Sequence, residues 1–250
     1  MELIKNKRVG KVLLIVEGGK HEFNLFKKIF SEVLGFTQIE KRRGNTNYFI
    51  REGDRHSVIA VINTKTSNIA SINECDYLDA IFEKLIEQYN FDINNAAIYY
   101  LFDRDPESNV NIELIYELIH TLKNSRENED SMQGGMLILS YPAIEAYEIS
   151  SFINESYKMQ EKLGRDLKQY INNNASIIAM NKISGESIVH AAKELEKYLE
   201  EQGISLYLDN FTDTSEAVFR RQEKCFKEYN KFNVLSMLSC VLMDLGILVK

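Results

Sequence analysis

Tryptophan is absent from the 250-residue chain, proline occurs only twice, and cysteine occurs three times. Cys75, Cys225 and Cys240 are an odd number without CxxC or Cys/His ligand spacing. This pattern indicates neither a disulfide framework nor a zinc site, and it predicts core or bystander thiols. No apolar run reaches the length of a membrane span or follows a signal-peptide pattern. We therefore expect a cytoplasmic protein with no membrane partner.

The composition is that of a globular protein. Hydrophobic residues make up 44% of the chain, and twelve glycines with two prolines are too few for a disordered or low-complexity segment. A chain of this length buries a sizeable core as one large domain or two small ones.

The net charge of −7 argues against a protein that coats nucleic acid, but it hides an asymmetry. Residues 1–60 carry twelve Lys and Arg against seven Asp and Glu, whereas residues 61–150 carry five against sixteen. A phosphate-binding flank beside a metal-binding centre would give this distribution. Solvated helix faces would give it as well.

The stretch 11–30, KVLLIVEGGKHEFNLFKKIF, predicts a strand, a turn and a helix. Residues 12–16 are all apolar and include two valines and an isoleucine, which is typical of a strand covered on both faces. The turn Glu17-Gly18-Gly19 follows, and a helix is expected over about residues 20–34. In open α/β sheets ligands bind at the carboxyl ends of strands, so Glu17 is placed for chemistry.

Further elements follow in alternation. Strands are expected at residues 36–40, 48–51, 58–63, 96–102 and 136–139, and helices at 77–90, 112–122 and 143–152, with a charged loop at 123–133. This order predicts an α/β fold with a mainly parallel sheet flanked by helices. Beyond residue 153 the pattern is helical, at 155–172, 185–202, 214–230 and 233–247. We therefore predict an α/β domain over 1–152 and a helical C-terminal region over 153–250.

A second set of acids follows the strand at 96–102. Asp103 and Asp105 lie two residues apart, so in extended backbone both project to the same side. Glu22 falls in the first turn of the helix after Glu17. If the two strands are neighbours, four carboxylates converge, and their repulsion requires cations. Oxygen ligands suit Mg²⁺ or Mn²⁺, and a pair of such ions activates water in phosphoryl transfer.

These motifs resemble the Toprim signature, a glutamate-glycine turn after the first strand and an Asp-x-Asp after a later strand. The run Ser140-Tyr141-Pro142-Ala143-Ile144-Glu145 narrows the resemblance to RloB-like nucleases within the overcoming-lysogeny-defect group. That subgroup has threonine, asparagine and tryptophan where this chain has His21, Tyr141 and Tyr147. The resemblance covers roughly residues 11–152.

The resemblance implies a Toprim-like fold and a metal-dependent endonuclease of prokaryotic antiviral defence. Glu17, Glu22, Asp103 and Asp105 would bind one or two Mg²⁺ or Mn²⁺ ions or act as general acid and base, and Glu145 would complete or support the site. The partners would be a DNA or RNA substrate and a partner ATPase or regulatory protein, and a homodimer is an open alternative.

Four basic residues are candidates for nucleic-acid contact: Lys20, Arg42, Arg43 and Lys182. Lys182 is a candidate for the late lysine that some Toprim nucleases place against the scissile phosphate, and the alternative is a loop lysine before a helix. For each of them a solvated surface position is an equally simple interpretation. Glu148 is expected on the surface of the helix at 143–152.

Two other functions are compatible with the motifs. A haloacid-dehalogenase-type phosphatase also has Asp-x-Asp after an apolar strand, but it takes a threonine or valine where this chain has Pro106. A catalytically degenerate Toprim module would bind nucleic acid or a partner protein. Its weakness is that clustered acids bring a non-catalytic protein little benefit.

Overall fold

The computed structural model describes residues 1–42, 46–64, 68–73, 82–83, 85–87, 91–127 and 134–250, which form an α/β fold. Its strands are β1 (Glu2–Leu3), β2 (Lys11–Val16), β3 (Thr37–Arg42), β4 (Thr46–Arg51), β5 (Asp54–Asn63), β6 (Ala96–Asp103), β7 (Lys123–Asn124), β8 (Gly135–Tyr141), β9 (Gln160–Glu161), β10 (Phe232–Asn233), β11 (Leu235–Ser236) and β12 (Leu248–Val249). Its α-helices are α1 (Lys20–Lys27), α2 (Ile112–Thr121), α3 (Glu145–Ser150), α4 (Gly164–Asn173), α5 (Gly185–Gln202), α6 (Thr212–Tyr229) and α7 (Leu238–Asp244).

The central sheet has eight strands in the order β11-β8-β6-β2-β5-β4-β3, with β7 paired to β8. At its centre β2 runs parallel to both β5 and β6. Towards one edge β5, β4 and β3 are antiparallel, because they follow one another through connections too short for a parallel crossover. The predicted α/β class with a mostly parallel sheet is confirmed, and the sheet is mixed.

The chain divides into two compact units. The N-terminal unit comprises residues 8–101 and 111–137, and the C-terminal unit comprises residues 1–7, 102–110 and 138–250. The strands β6 and β8 contribute residues to both. The predicted division into 1–152 and 153–250 stays a prediction.

In the N-terminal unit the apolar strand β2 is fully buried from Val12 to Val16, as predicted. The helix after it begins at Lys20 and continues beyond α1 as a π-helical segment, Lys28–Val33. Residues 123–124, expected in a loop, form β7 by pairing with the start of β8. The helix predicted at 77–90 is described only at residues 82–83 and 85–87, and its remainder lies outside the described residues, as does Cys75.

In the C-terminal unit α5 and α6 lie where helices were predicted, but the helix expected over 233–247 is present only at Leu238–Asp244, because Leu235–Ser236 forms β11 and pairs with β8. The helix expected from residue 155 begins only at Gly164, because a 3₁₀ turn (Ser156–Lys158) and β9 come first. Cys225 and Cys240 are free and buried, as core thiols. In the described part of the chain, each helix is too short or too polar to cross a membrane. An apolar cluster packs α3 against α4 and the chain near β10: Ala143, Ala146, Ile149, Leu167, Ile178 and Val234.

Candidate functional site

The acids singled out in the sequence are divided between the two units. Glu17 and Glu22 belong to the N-terminal unit, and Asp103, Asp105 and Glu145 belong to the C-terminal unit. Each group is therefore described within its own unit.

The Glu17 turn is held by the strands on either side of β2. Glu17 is 7% exposed, and its backbone N–H donates to the carbonyl of Leu101 on β6 at 3.1 Å. On the other side Thr64, which follows β5, donates its N–H to the carbonyl of Val16 at 2.9 Å and its hydroxyl to the carbonyl of Glu17 at 3.3 Å. The position of Glu17 thus follows from the pairing of three buried strands.

Gly18 has a different role from the one expected of a turn glycine. Its φ is not among the positive values found at other glycines, so the backbone here does not require glycine for its conformation. A Cβ on Gly18 would instead overlap the carboxylate of Glu22. The absence of a side chain at this position therefore lets the Glu22 carboxylate lie against the turn.

In the C-terminal unit Asp103 and Asp105 are half-buried and accept backbone hydrogen bonds. Asp103 Oδ1 accepts from the N–H of Ile144 at 2.8 Å, which joins the end of β6 to the segment that leads into α3. Asp105 Oδ1 accepts from the N–H of Glu107 at 2.9 Å, and its Oδ2 accepts from the N–H of Gly164 at 3.3 Å. Asp105 thus places negative charge at the start of α4, where a helix favours it.

Glu145 and Asp105 both approach Gly164. A Cβ placed on Gly164 would be 3.7 Å from Asp105 Oδ2 and 3.8 Å from Glu145 Oε2, so these two carboxylates flank one point. Glu145 is only 2% exposed. The structure therefore brings Asp103, Asp105 and Glu145 to neighbouring positions in the C-terminal unit.

Glu148 was expected on a helix surface, and this prediction is wrong. It is 2% exposed, because every residue of the short helix α3 is buried. A helix that is covered on all sides has no polar face. The sequence pattern therefore does not reveal that Glu148 is buried.

The two tyrosines that depart from the RloB-like pattern are core residues. Tyr141 and Tyr147 are both 0% exposed, and the ring of Tyr141 lies 5.9 Å from that of Phe232. Burial raises the pKa of both hydroxyls above the ordinary value for tyrosine, so both stay protonated at neutral pH. Both side chains therefore belong to the core of the C-terminal unit and carry no charge.

Two cations on α4 lie beside the acids, and neither was singled out in the sequence. Lys168 Nζ is 3.3 Å from Glu145 Oε1, and the guanidinium of Arg165 bonds both carboxylate oxygens of Glu107 at 3.1 and 3.2 Å. Both side chains are mostly exposed, at 62% and 69%. Their spacing of three residues puts them on one helix face, but only the fold brings that face to the acids.

The basic residues that were predicted to touch nucleic acid are placed as follows. Lys20 is exposed in the first turn of α1, and Lys182 is exposed and donates to the carbonyl of Ser176 within its own segment. Arg42 ends β3, and its side chain lies outside the described part of the structure, as does the whole of Arg43. Contact of these four residues with nucleic acid stays a prediction.

The C-terminal unit's three acids fit a hard cation in chemistry, since they offer only carboxylate oxygens, the ligands that Mg²⁺ and Mn²⁺ prefer. Within the described residues, however, no three Asp, Glu, His or Cys side chains stand close enough together to enclose an ion. Ion binding would thus require these side chains to move closer together.

Comparison with protein-family models, with curated proteins and with solved structures found no match for this chain. The Toprim resemblance accordingly stays a prediction from the motifs.

Proposed function

We propose that this protein is a Mg²⁺- or Mn²⁺-dependent nuclease that hydrolyses phosphodiester bonds in DNA or RNA. The observation that carries the proposal is the set of three acids in the C-terminal unit. Asp103 ends β6, Asp105 lies on the segment that follows it and Glu145 lies on α3. Hydrogen bonds to Ile144 and Gly164 tie these segments to each other and to the start of α4.

In this proposal the acids hold the metal and the neighbouring cations hold the substrate. A bound ion would supply an activated water and would stabilise the leaving oxygen. Lys168, which pairs with Glu145, and Arg165, which pairs with Glu107, lie on the exposed face of α4, where they would bind the phosphate backbone. Participation of Glu17 and Glu22 as further ligands stays a prediction from the sequence, as do antiviral defence, a partner ATPase and a homodimer.

Cleavage assays on plasmid DNA and on total RNA, with Mg²⁺, Mn²⁺ or EDTA, test the proposal. Asp105→Asn and Glu145→Gln should each lower the cleavage rate by about 100-fold or more, as expected when a group that acts directly in the reaction is removed. Glu17→Gln tests whether the cleavage rate also depends on the buried acid of the N-terminal unit. Glu200→Gln is the matched control, since Glu200 is an exposed carboxylate on α5.

Metal binding is measured separately by thermal unfolding. Mn²⁺ should raise the melting temperature of the wild type, because a ligand that binds only the folded state stabilises it, and the shift should disappear in Asp105→Asn. Wild-type protein that binds no metal and cuts neither substrate would refute the proposal. Metal-independent nucleic-acid binding without cleavage would favour a binding module, and a trapped aspartyl-phosphate on Asp103 would favour a phosphatase.

A further inference from the structure

The residue between the two aspartates of the 103–105 motif is a buried arginine. Arg104 is 2% exposed, and its Nε donates to Glu223 Oε1 on α6 at 2.7 Å. Its guanidinium also lies 5.4 Å from the ring centre of Phe232 and 6.0 Å from that of Phe219. Burial of a charged pair in such surroundings costs desolvation energy, so the pair contributes little net stability.

Arg104 also holds the segment that follows it. Its Nη1 donates to the carbonyl of Asn109 at 3.0 Å. Asn109 is 1% exposed; its side-chain amide donates to the carbonyl of Asp103 at 2.6 Å, and its backbone N–H donates to the carbonyl of Asp105 at 2.9 Å. The backbone on both sides of Asp103 and Asp105 is therefore fixed by two buried side chains, one of which is anchored on α6.

We propose that Arg104, Asn109 and Glu223 form a buried clasp that sets the directions of the Asp103 and Asp105 carboxylates. In this arrangement they are positioning residues, and α6 of the C-terminal region takes part in building the acid site. An apolar side chain at position 104 would fill the same space, but it could not hold the carbonyl of Asn109. The clasp deepens the proposed function and rests on it, since it presumes that the aspartates bind metal.

Glu223→Gln is the main test, because glutamine keeps the shape of the side chain and removes its charge. The matched control is Glu194→Gln, on α5 of the same unit. Like Glu223, Glu194 is a buried carboxylate with hydrogen-bond donors around it, and it is 1% exposed. It accepts hydrogen bonds from the N–H of Ser156 at 2.9 Å and from Lys197 Nζ at 2.7 Å. Arg104→Lys is the conservative variant: it keeps the charge but cannot donate to Glu223 and Asn109 from one planar group.

Two measurements are made on the full-length variants. The first is the Mn²⁺ concentration for half-maximal cleavage, which should rise about 10-fold or more in Glu223→Gln and in Arg104→Lys, as when residues that orient metal ligands are changed. It should stay at the wild-type value in Glu194→Gln. An equal response of Glu223→Gln and Glu194→Gln would show that lost stability alone explains the effect, and it would overturn the clasp.

The second measurement is amide hydrogen exchange at Glu107 and Asn109, whose N–H groups bond to Asp105. Exchange there should be about 10-fold faster in Glu223→Gln than in the wild type, and unchanged in Glu194→Gln. This result does not depend on activity. If the wild type neither binds Mn²⁺ nor cuts, the proposed function fails, and the exchange data alone decide the clasp: unchanged protection in Glu223→Gln would refute it.

Discussion

The turn after β2 and the turn after β6 both carry acids, but they are held by different contacts. At the Glu17 turn, backbone hydrogen bonds join Glu17 to Leu101 and Val16 to Thr64, and the Thr64 hydroxyl adds one bond to the carbonyl of Glu17. The 103–109 segment is held by buried side chains, those of Arg104 and Asn109. Many different apolar sequences can form the strand pairing that positions Glu17. The contacts of Arg104 and Asn109 are lost when either residue is replaced. The second turn should therefore be the more sensitive to substitutions away from the acids themselves.

The largest stability effect is expected at Arg104. Arg104→Met leaves Glu223 buried without its cation, so the free energy of unfolding should fall by about 3–5 kcal/mol. Adding Glu223→Met should restore most of that loss, since two apolar side chains replace the pair. Chemical denaturation of both variants checks this, and a loss below about 1 kcal/mol in Arg104→Met would show that the clasp does not hold the segment.

The two glycines beside acids provide the next test. A Cβ on Gly164 would lie 2.8 Å from the Cβ of Ala143, which is fixed to its backbone, so Gly164→Ala should cost about 1–3 kcal/mol. The three atoms nearest to a Cβ on Gly18 would all belong to the carboxylate of Glu22, the end of a flexible side chain. Gly18→Ala should therefore cost less than about 1 kcal/mol. Thermal unfolding of the two variants measures the difference, and the reverse order would contradict this comparison of the turns.

A smaller effect is expected at Thr64, which is 2% exposed. Thr64→Val removes the hydroxyl that donates to the carbonyl of Glu17 and keeps the shape of the side chain. Because the backbone bonds of the Glu17 turn remain, the cost should be about 1 kcal/mol. Denaturation midpoints give the value. A loss as large as that of Arg104→Met would mean that the Glu17 turn also depends on a single side chain.

The smallest effect is expected in the pH dependence of stability, at a third segment, the 156–158 turn of the C-terminal unit. Tyr157 donates its hydroxyl to Glu201 at 2.6 Å, and this hydrogen bond, with burial, raises the pKa of Tyr157 to about 12. An unfolded tyrosine has a pKa of about 10. Between these values the folded protein keeps a proton that the unfolded chain loses, so stability should fall as the pH rises from about 10 to about 12.

Tyr157→Phe should remove this part of the alkaline loss, and Tyr207→Phe should not, since Tyr207 is an exposed tyrosine. Denaturation curves recorded at successive pH values compare the two variants with the wild type. The same alkaline slope in Tyr157→Phe and the wild type would show that side-chain contacts at this turn contribute little.

The predictions from sequence succeeded where local patterns decide the structure. The buried strands at 12–16, 58–63 and 96–102 were predicted because continuous apolar runs have few other stable placements. The helices at 185–202 and 214–230 were predicted from their helical pattern, whereas those at 155–172 and 233–247 were predicted too long, because short strands paired with distant segments occupy part of each range. The prediction that Glu148 lies on a helix surface failed because α3 is buried on all sides, so its sequence pattern carries no information about exposure.

The amino-acid sequence by itself determined the α/β class, the core thiols Cys225 and Cys240, and the acids that follow β2 and β6, since each depends on residues close together in the chain. Only the tertiary structure decided which groups surround those acids. Lys168 reaches Glu145, and Glu223 reaches Arg104 across 119 positions of sequence. Such pairs leave no periodic signal, because they depend on how separate elements pack and not on the spacing within any one of them.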